Sequence, residues 1–207
     1  MSAGIRGPVR VVDLAELCAA RPPAGGAAGA RVVALDGPSG SGKTTLAGRL
    51  AGALDAPVVH LDDLYPGWDG LEDAVPRLVE WVLVPLLEGR PARYRRYDWA
   101  AGAYAEWHQV GHRRLVVVEG VGCGARACAP YLSTLAWLEA DPGERFRRGV
   151  DRDGERYLPH WQRWAVQEDR HFAAEGTRER ADVVLDGGLD ADRHAAGMLS
   201  VRRWPRA

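Results

Sequence analysis

Short apolar runs alternate with stretches of helical spacing along most of the chain. The apolar runs have the length of buried β-strands and comprise residues 32–35, 57–61, 115–118, 135–138 and 181–185. The helical stretches place their apolar side chains on one face and comprise residues 11–20, 45–54, 71–87 and 158–174. Strands that alternate with helices predict one α/β domain, residues 1–207, with a parallel sheet between two layers of helices.

Other segments have weaker patterns. Residues 21–30 are rich in Pro, Gly and Ala and are predicted to link the first helix to the first strand. Residues 93–99 are basic and aromatic, and their pattern fits a short strand or an ordered loop equally well. Asp141-Pro142 is predicted to open a further helix, because Pro is favoured at the first helical position. The chain after Gly188 carries little pattern.

A glycine-rich segment lies between the first of these strands and the helix that follows it. It fits G-x-x-x-x-G-K-[ST] without a mismatch and comprises Gly37, Pro38, Ser39, Gly40, Ser41, Gly42, Lys43 and Thr44, followed by Thr45. This is the phosphate-binding P-loop, whose backbone N–H groups and helix N-terminus surround the phosphates of a nucleotide. Lys43 is expected to reach the β- and γ-phosphates, and the Thr44 hydroxyl to bind Mg²⁺. Lys43 is also the only lysine in the sequence, so the one compact ammonium group stands where phosphate oxygens are expected.

Composition narrows the functional classes. The formal net charge of -1 at pH 7 gives no reason to expect nucleic acid or a membrane surface as a partner. No apolar run reaches the roughly 18 residues that a membrane-spanning helix needs, and residues 1–8 lack the apolar core of a secretory signal. Cys18, Cys123 and Cys128 are predicted to be free thiols in a cytoplasmic protein. A metal site on the last two is the alternative, although two thiolates alone do not complete one. A homo-oligomer is left open.

Two carboxylates follow predicted strands, at the carboxyl ends where α/β sheets bind their ligands. Asp62 comes directly after the second strand and is predicted to orient and deprotonate a hydroxyl that accepts a phosphoryl group. Glu119 ends the most apolar strand and is predicted to hold Mg²⁺, directly or through water. The alternatives are a capping role for Asp62 and Asp63 in the loop, and a solvated strand end for Glu119.

Arginine is concentrated between residues 145 and 156. The arginines there recur at helical or near-helical spacing: Arg145, Arg147, Arg148, Arg152 and Arg156. They predict a lid over residues 145–160, in which Arg148 or Arg152 stabilises negative charge as the γ-phosphoryl group moves. The alternative is a solvated helix whose arginines pair with the neighbouring acidic residues Glu144, Asp151 and Asp153.

Aromatic and acidic residues between the second strand and residue 99 are candidates for binding the phosphoryl acceptor. Those predicted to contact it are Asp62, Tyr65, Asp69, Tyr97 and Trp99. Aromatic side chains at this density also occur in ordinary hydrophobic cores, which is the alternative for each of them. The histidines are scattered, and none is predicted to bind a metal.

In this order and spacing, the motifs resemble the uridine kinase group of P-loop small-molecule kinases, which includes nicotinamide riboside kinases, pantothenate kinases and phosphoribulokinases. The resemblance covers residues 31–188. Leu61-Asp62-Asp63-Leu64-Tyr65 resembles the family's D-[SD]-F-[YF] motif, whose first Asp is the catalytic base, and this implies that role for Asp62. Val118-Glu119-Gly120-Val121 resembles its E-G-[IV] strand end, whose Glu serves Mg²⁺. Four shorter segments are also similar to the family's. Trp68-Asp69 resembles its F-D segment, and Glu88-Gly89 to Tyr97-Asp98-Trp99 resembles its E-G…Y-D-F segment. Arg147-Arg148 to Arg152-Asp153 resembles its arginine-bearing lid, and Ala181-Asp182-Val183-Val184 resembles its A-D-V-I strand.

One departure from this family concerns the acceptor. After Tyr97-Asp98 the chain reads Trp99-Ala100-Ala101-Gly102 and lacks the Thr-His with which uridine kinases help to recognise the nucleoside. Three arginines within residues 93–97 raise the alternative of an anionic acceptor.

The sequence therefore predicts a P-loop NTPase fold, a three-layer α/β sandwich with an arginine-rich lid. The predicted activity is the ATP- and Mg²⁺-dependent phosphorylation of a hydroxyl on a nucleoside-like small molecule. One alternative is a kinase for another small metabolite, such as a sugar acid, vitamin or nucleotide. The other is an ATP-binding or regulatory NTPase that is not a kinase. The sequence has no Asn-Lys-x-Asp, so guanine selectivity of the usual GTPase type has no support.

Overall fold

The computed structural model describes residues 7–26, 29–111, 113–154, 158–188 and 198–203. Its strands are β1 (Gly7–Arg10), β2 (Arg31–Asp36), β3 (Val58–His60), β4 (Ala92–Asp98), β5 (Ala103–Gly111), β6 (Leu115–Glu119), β7 (Thr134–Glu139), β8 (Val183–Asp186) and β9 (Met198–Arg203). Its α-helices are α1 (Val11–Ala20), α2 (Lys43–Leu54), α3 (Leu71–Leu78), α4 (Val84–Leu87), α5 (Pro142–Asp153), α6 (Leu158–Glu175) and α7 (Thr177–Arg180).

The helices follow the sequence pattern closely. The π-helical stretch Val79–Leu83 joins α3 to α4, so the helix predicted over residues 71–87 is confirmed as one continuous helical segment. Pro142 is the first residue of α5, as predicted, and the preceding Asp141 side chain accepts hydrogen bonds from the amides of Gly143 and Glu144. This N-cap satisfies donors that the first turn of a helix leaves unpaired.

Seven strands form the central sheet in the order β1-β9-β8-β7-β2-β6-β3. The five strands from β8 to β3 are parallel, which confirms the predicted parallel sheet. Antiparallel β9 and β1 extend one edge, and neither strand was predicted. Strand β1 has only four residues, and β9 lies in the part of the chain after Gly188, where the sequence shows little periodicity.

The hydrophobic core lies on both faces of the sheet, because successive strand residues point to opposite sides. Val32 and Ala34 of β2 belong to a cluster with α3, α4, the β4–β5 hairpin and part of α6. Val33 and Leu35 belong to a second cluster with α1, α2, β1 and β9. This two-sided burial explains why the central strands read as continuous apolar runs, and it gives the predicted three layers.

A separate hairpin of β4 and β5 packs beside the sheet. It resolves the ambiguity over residues 93–99 in favour of a strand, β4. Strand β5 was not predicted, because within it only Val110 is buried, and the expected alternation of apolar and polar residues is absent.

The order β2-β6-β3 positions the candidate site. In register, Leu35 of β2 lies beside Glu119 of β6, which in turn lies beside His60 of β3. The P-loop, Glu119 and Asp62 therefore all leave the sheet at the same edge. Within the described ranges, no helix has the combination of length and apolar character needed to cross a membrane.

The packing of α1 gives a stability prediction for the N-terminal part of the chain. Leu14 is fully buried against the second cluster, whereas Val12 on the same helix is 44% exposed. We expect Leu14→Ala to lower the free energy of unfolding by about 2–5 kcal/mol, because it leaves a cavity. The measurement is urea denaturation followed by circular dichroism. Val12→Ala is the control and should stay within about 0.5 kcal/mol of the parent chain. Equal effects of the two changes would contradict the placement of α1.

Candidate functional site

The P-loop connects β2 to α2 and leaves several backbone donors unused. Within the described part of the chain, five amides in and after the loop have no hydrogen-bond partner: those of Gly40, Gly42, Lys43, Thr44 and Thr45. The Lys43 ammonium is nearly buried and donates to the carbonyl oxygens of Gly37 at 2.7 Å and Pro38 at 3.0 Å. A positive φ at Gly40 (75°) and Gly42 (98°) makes glycine necessary at these positions. A run of free amides at a helix N-terminus is suited to binding an anion.

Asp36, the last residue of β2, holds the start of the P-loop in place. Its fully buried carboxylate accepts hydrogen bonds from three backbone amides, those of Gly37 (2.7 Å), Gly122 (3.1 Å) and Gly124 (2.8 Å). Burial raises the pKa of Asp36, and these amides together with Lys43 act in the opposite direction. The sequence analysis missed this residue, although a carboxylate at the end of an apolar strand just before Gly37 is a recognisable signal.

The two predicted metal ligands lie next to each other. The Thr44 hydroxyl donates to Glu119 Oε1 at 3.1 Å, and His60 Nδ1 lies 2.6 Å from the same oxygen. Glu119 is nearly buried, and its hydrogen bond to His60 is the main cause that raises the pKa of His60. Glu119 Oε2 has no hydrogen-bond partner among the described residues. A hydroxyl and a carboxylate oxygen beside a phosphate-binding loop fit Mg²⁺, which prefers hard oxygen ligands and takes the others from phosphates and water.

The cysteines do not contribute to the cleft. Cys18, Cys123 and Cys128 are buried and free, which confirms the prediction of free thiols. Burial raises the pKa of Cys18 to about 11 and that of Cys128 to about 12. In the described ranges no three or more His, Cys, Asp or Glu side chains are grouped so that they could hold a metal ion.

Asp62 lies where the sequence analysis predicted, in the 3₁₀ turn directly after β3. Its side chain is open to the solvent of the cleft and is otherwise surrounded by protein. Partial removal from bulk water and the charge of Glu119 raise the pKa of Asp62, while Arg152, Lys43 and His60 act to lower it. The carboxylate is therefore within the electrostatic influence of the P-loop lysine, a lid arginine and the candidate metal ligand.

Two predicted lid arginines bind the P-loop backbone. Arg145 Nη1 donates to the Ser39 carbonyl at 3.2 Å, and Arg148 Nη1 donates to the Gly40 carbonyl at 3.1 Å. Arg148 also reaches the Gly187 carbonyl at 2.8 Å. A Cβ atom at Gly40 would lie 2.4 Å from the Arg145 carbonyl oxygen, so α5 packs closely on the loop. The predicted catalytic role for Arg148 is not supported by these contacts, which use its guanidinium to join the loop to α5 and β8.

Arg148 and Arg152 both line the cleft, but Arg152 is the arginine whose charge acts on the carboxylate of Asp62. Arg147 is exposed and does not line the cleft. Arg156 lies outside the described residues, as does part of the predicted lid over residues 145–160. Of the predicted catalytic pair Arg148 and Arg152, the geometry favours Arg152 for contact with a transferred phosphoryl group.

Aromatic side chains form the wall of the cleft beyond Asp62. They come from three separate parts of the chain and comprise Tyr65, Trp68, Tyr97, Trp99, His160 and Trp164. The rings of Trp68 and His160 stack at 4.4 Å, and Trp99 Nε1 donates to the backbone carbonyl of Asp62 at 3.0 Å. The sequence analysis missed His160 and Trp164, because both lie on α6, about a hundred residues from the Asp62 motif.

Two of the predicted acceptor-binding residues have other contacts. Tyr65 lines the cleft with its ring, but it is almost fully buried and its hydroxyl donates to the Val121 carbonyl at 2.8 Å. Asp69 is exposed, forms an ion pair with Arg163 of α6 and does not line the cleft. The structure thus brings together Asp62, Tyr97 and Trp99 but leaves Asp69 outside, although it directly follows Trp68 in the sequence.

The arginines of residues 93–97 are already engaged. Arg93 lies over the Trp107 ring at 4.8 Å, and Arg95 donates to two carbonyls of β5. Arg96 does line the cleft, but it pairs with Glu106 at 2.6 Å. An anionic acceptor would therefore have to compete with existing partners for these cations. This favours an acceptor that does not depend on them.

The cleft that joins these features has a volume of about 1380 Å³. Pockets for a single small molecule are typically about 300–1,000 Å³. Its lining includes the P-loop, Asp62 and the aromatic wall. The volume is therefore large enough for two small ligands.

Comparison with known proteins agrees with this geometry. No protein-family model and no curated protein matches the chain. Among solved structures, a protein from Bacillus stearothermophilus described as a possible uridine kinase has 23% identity and a TM-score of 0.60, over 84% of this chain and 96% of that one. A protein from Silicibacter sp. TM1040, provisionally described as a fructose transport system kinase, has 23% identity and a TM-score of 0.57, over 84% and 95% of the two chains. The chain therefore has the fold of the P-loop kinases, which confirms the predicted P-loop NTPase fold class and its likeness in fold to uridine kinase.

The hydrogen bonds of Asp36 give a prediction for the site. In Asp36→Asn, one carboxylate oxygen becomes an N–H₂ group that faces backbone donors, so a buried amide loses its acceptor. We expect a loss of about 1–3 kcal/mol in the free energy of unfolding, measured by urea denaturation. Asp55→Asn is the control, because Asp55 is exposed and Asn tolerates its left-handed conformation (φ 48°). An Asp36→Asn variant as stable as this control would mean that Asp36 does not anchor the loop.

Proposed function

We propose that this protein is an ATP- and Mg²⁺-dependent kinase that phosphorylates a hydroxyl group of a neutral, ring-bearing small molecule of nucleoside-like size. The observation that carries the proposal is the position of Asp62. Its carboxylate lies in one cleft with the P-loop and the aromatic wall, and within the influence of Lys43 and Arg152. Phosphoryl transfer needs little else from a protein than aligned reactants and compensation of phosphate charge.

In the proposed reaction the acceptor hydroxyl oxygen forms a bond to the γ-phosphorus of ATP. The bond between that phosphorus and the β–γ bridging oxygen breaks, and ADP leaves with the bond's electron pair. Asp62 takes the hydroxyl proton, and the products are ADP and a phosphate monoester. The free amides of the P-loop and the Lys43 ammonium hold the phosphates, while Arg152 compensates charge on the transferred group.

Thr44 and Glu119 are the residues that would hold Mg²⁺. When bound, the ion supplies positive charge to the phosphate oxygens during transfer. His60 orients the Glu119 carboxylate through its 2.6 Å hydrogen bond, as residues behind a metal ligand commonly do.

The nature of the acceptor site supports a neutral ring. The aromatic rings of Trp68, Tyr97 and Trp99 line the cleft, and aromatic surfaces of this kind suit a ring-bearing ligand. Asp62 and Asp63 add negative charge on the same side, and the charge of Arg96 is compensated by Glu106. A cytoplasmic location and a small-molecule partner remain part of the proposal. A homo-oligomer is left open.

Replacement of Asp62 tests the proposed reaction. We expect Asp62→Asn to lower acceptor-dependent ADP formation by about 10²–10⁴-fold, the usual contribution of a general base. Binding of a non-hydrolysable ATP analogue should change little. The measurement is coupled ADP release against a panel of nucleosides, vitamins and sugars, with ³¹P NMR to identify the phosphate monoester.

Asp69→Asn is the matched control, because Asp69 is a nearby carboxylate that lies outside the cleft. The Asp69→Asn variant should form ADP at the same acceptor-dependent rate as the parent chain. If the chain hydrolyses ATP and no hydroxyl compound in the panel stimulates this hydrolysis, the alternative of a regulatory NTPase that is not a kinase would be favoured. Full activity of Asp62→Asn would contradict the assigned base.

The pKa of Asp62 predicts a pH dependence. The base must be ionised, so turnover should be lost as the pH falls through the pKa of Asp62. Because this pKa is raised, the loss should occur at a higher pH than for an ordinary aspartate. Arg152 lowers the Asp62 pKa, so Arg152→Gln should shift the acid limb of the kcat/KM profile to higher pH and also reduce kcat. Arg147→Gln, an exposed change on the same helix, should leave the limb where it is. A shift to lower pH in Arg152→Gln would contradict the arrangement.

A further inference from the structure

Glu168 is a buried carboxylate that the mechanism above does not use. It lies on α6, is only 3% exposed and is surrounded by donors. Its Oε1 accepts from the Ser39 amide at 2.8 Å and from Trp164 Nε1 at 2.7 Å. Arg145 Nη1 lies 3.8 Å from its Oε2. A buried charge is costly unless it is paired and hydrogen-bonded, and here both kinds of partner are present.

The partners of Glu168 all belong to the P-loop or contact it. Trp164 Nε1 also lies 3.0 Å from Ser39 Oγ, and Arg145 donates to the Ser39 carbonyl. Ser39 is therefore held at its amide, its hydroxyl and its carbonyl by side chains from α5 and α6. The Ser39 amide is consequently not available to phosphate, unlike the free amides that follow it.

The geometry of the peptide group links this contact to the phosphate site. In a trans peptide the C=O and N–H bonds point in opposite directions. The Ser39 carbonyl shares its peptide plane with the Gly40 amide, which is one of the unpaired donors. By drawing the Ser39 carbonyl toward α5, Arg145 turns the Gly40 N–H away from α5. Glu168 stabilises this arrangement in two ways. It accepts the hydrogen bond of the Ser39 amide, and its negative charge lies close to the Arg145 guanidinium.

We propose that Glu168 is a positioning residue for the phosphates of the nucleotide. It fixes the two peptide groups on either side of Ser39, so that the Gly40 amide is already aimed at the anion before binding. This inference rests on the proposed nucleotide ligand. Pre-orientation strengthens binding because the ligand does not have to order the loop.

The test is a comparison of Glu168→Gln with Asp169→Asn in the 207-residue chain. In Glu168→Gln one oxygen becomes an N–H₂ group that must face the Ser39 amide, Trp164 or Arg145, which are all donors. Asp169 is the next residue on the same helix and is exposed. Binding of a non-hydrolysable ATP analogue with Mg²⁺ is measured by isothermal titration calorimetry. The melting temperature and the acceptor KM are measured alongside.

We expect Glu168→Gln to bind the analogue about tenfold more weakly, which corresponds to about 1.4 kcal/mol. The acceptor KM should stay within about twofold of the parent value, and Asp169→Asn should match the parent chain throughout. Unchanged analogue affinity in a destabilised Glu168→Gln would show a purely structural role and overturn the inference. If the parent chain itself binds no ATP analogue, the proposed function fails first.

Arg145→Gln provides a second test that does not depend on the folding of the first variant. It releases the Ser39 carbonyl while leaving the Ser39 amide on Glu168. We expect weaker analogue binding here too, and a combined loss in the double variant that is smaller than the sum of the two single losses, because both act on the same peptide groups. Analogue affinity equal to that of the parent chain would overturn the proposed link between α5 and the Gly40 amide.

Discussion

The phosphate-binding loop depends on where the peptide groups at its start direct their N–H bonds. Two buried carboxylates take up amides that do not face the cleft: Asp36 binds those of Gly37, Gly122 and Gly124, and Glu168 binds that of Ser39. The amides of Gly40, Gly42, Lys43, Thr44 and Thr45 are left for a ligand. A loop of glycines alone would have many conformations, so acceptors from β2 and α6 are needed to select one of them.

The rest of the site follows from the order of three neighbouring strands. Because β6 lies between β2 and β3, Glu119 stands between the P-loop residue Thr44 and His60, and Asp62 follows on the far side. The three parallel strands end at one edge, which is where α/β sheets generally bind ligands. Glu119 and Asp62 thus lie in the same cleft as the P-loop, and the positive charge of Arg152 acts on Asp62 there.

How far the site could be predicted depended on whether its residues are close in the sequence. The P-loop, the residues Asp62 and Glu119, and the central strands carry local signals, namely a fixed glycine spacing and apolar runs with a carboxylate at the end. Glu168 carries none, because its partner Ser39 is 129 positions away. Asp69 shows the opposite error: it directly follows Trp68, yet the chain turns so that it meets Arg163 outside the cleft. Strand β1 was missed because it is a four-residue edge strand, and β9 because its pairing with β1 and β8 is not encoded in a local pattern.

In the proposed reaction the carboxylate of Asp62 faces the phosphate to be transferred, with room for one hydroxyl between them. A crystal structure with a non-hydrolysable ATP analogue and Mg²⁺ measures this directly. The proposed arrangement requires that the γ-phosphate lies beside Lys43 and that a hydroxyl oxygen fits about 3 Å from both the γ-phosphorus and the Asp62 carboxylate. A γ-phosphate bound away from Asp62, with no path from its phosphorus to that carboxylate through a single oxygen atom, would contradict it.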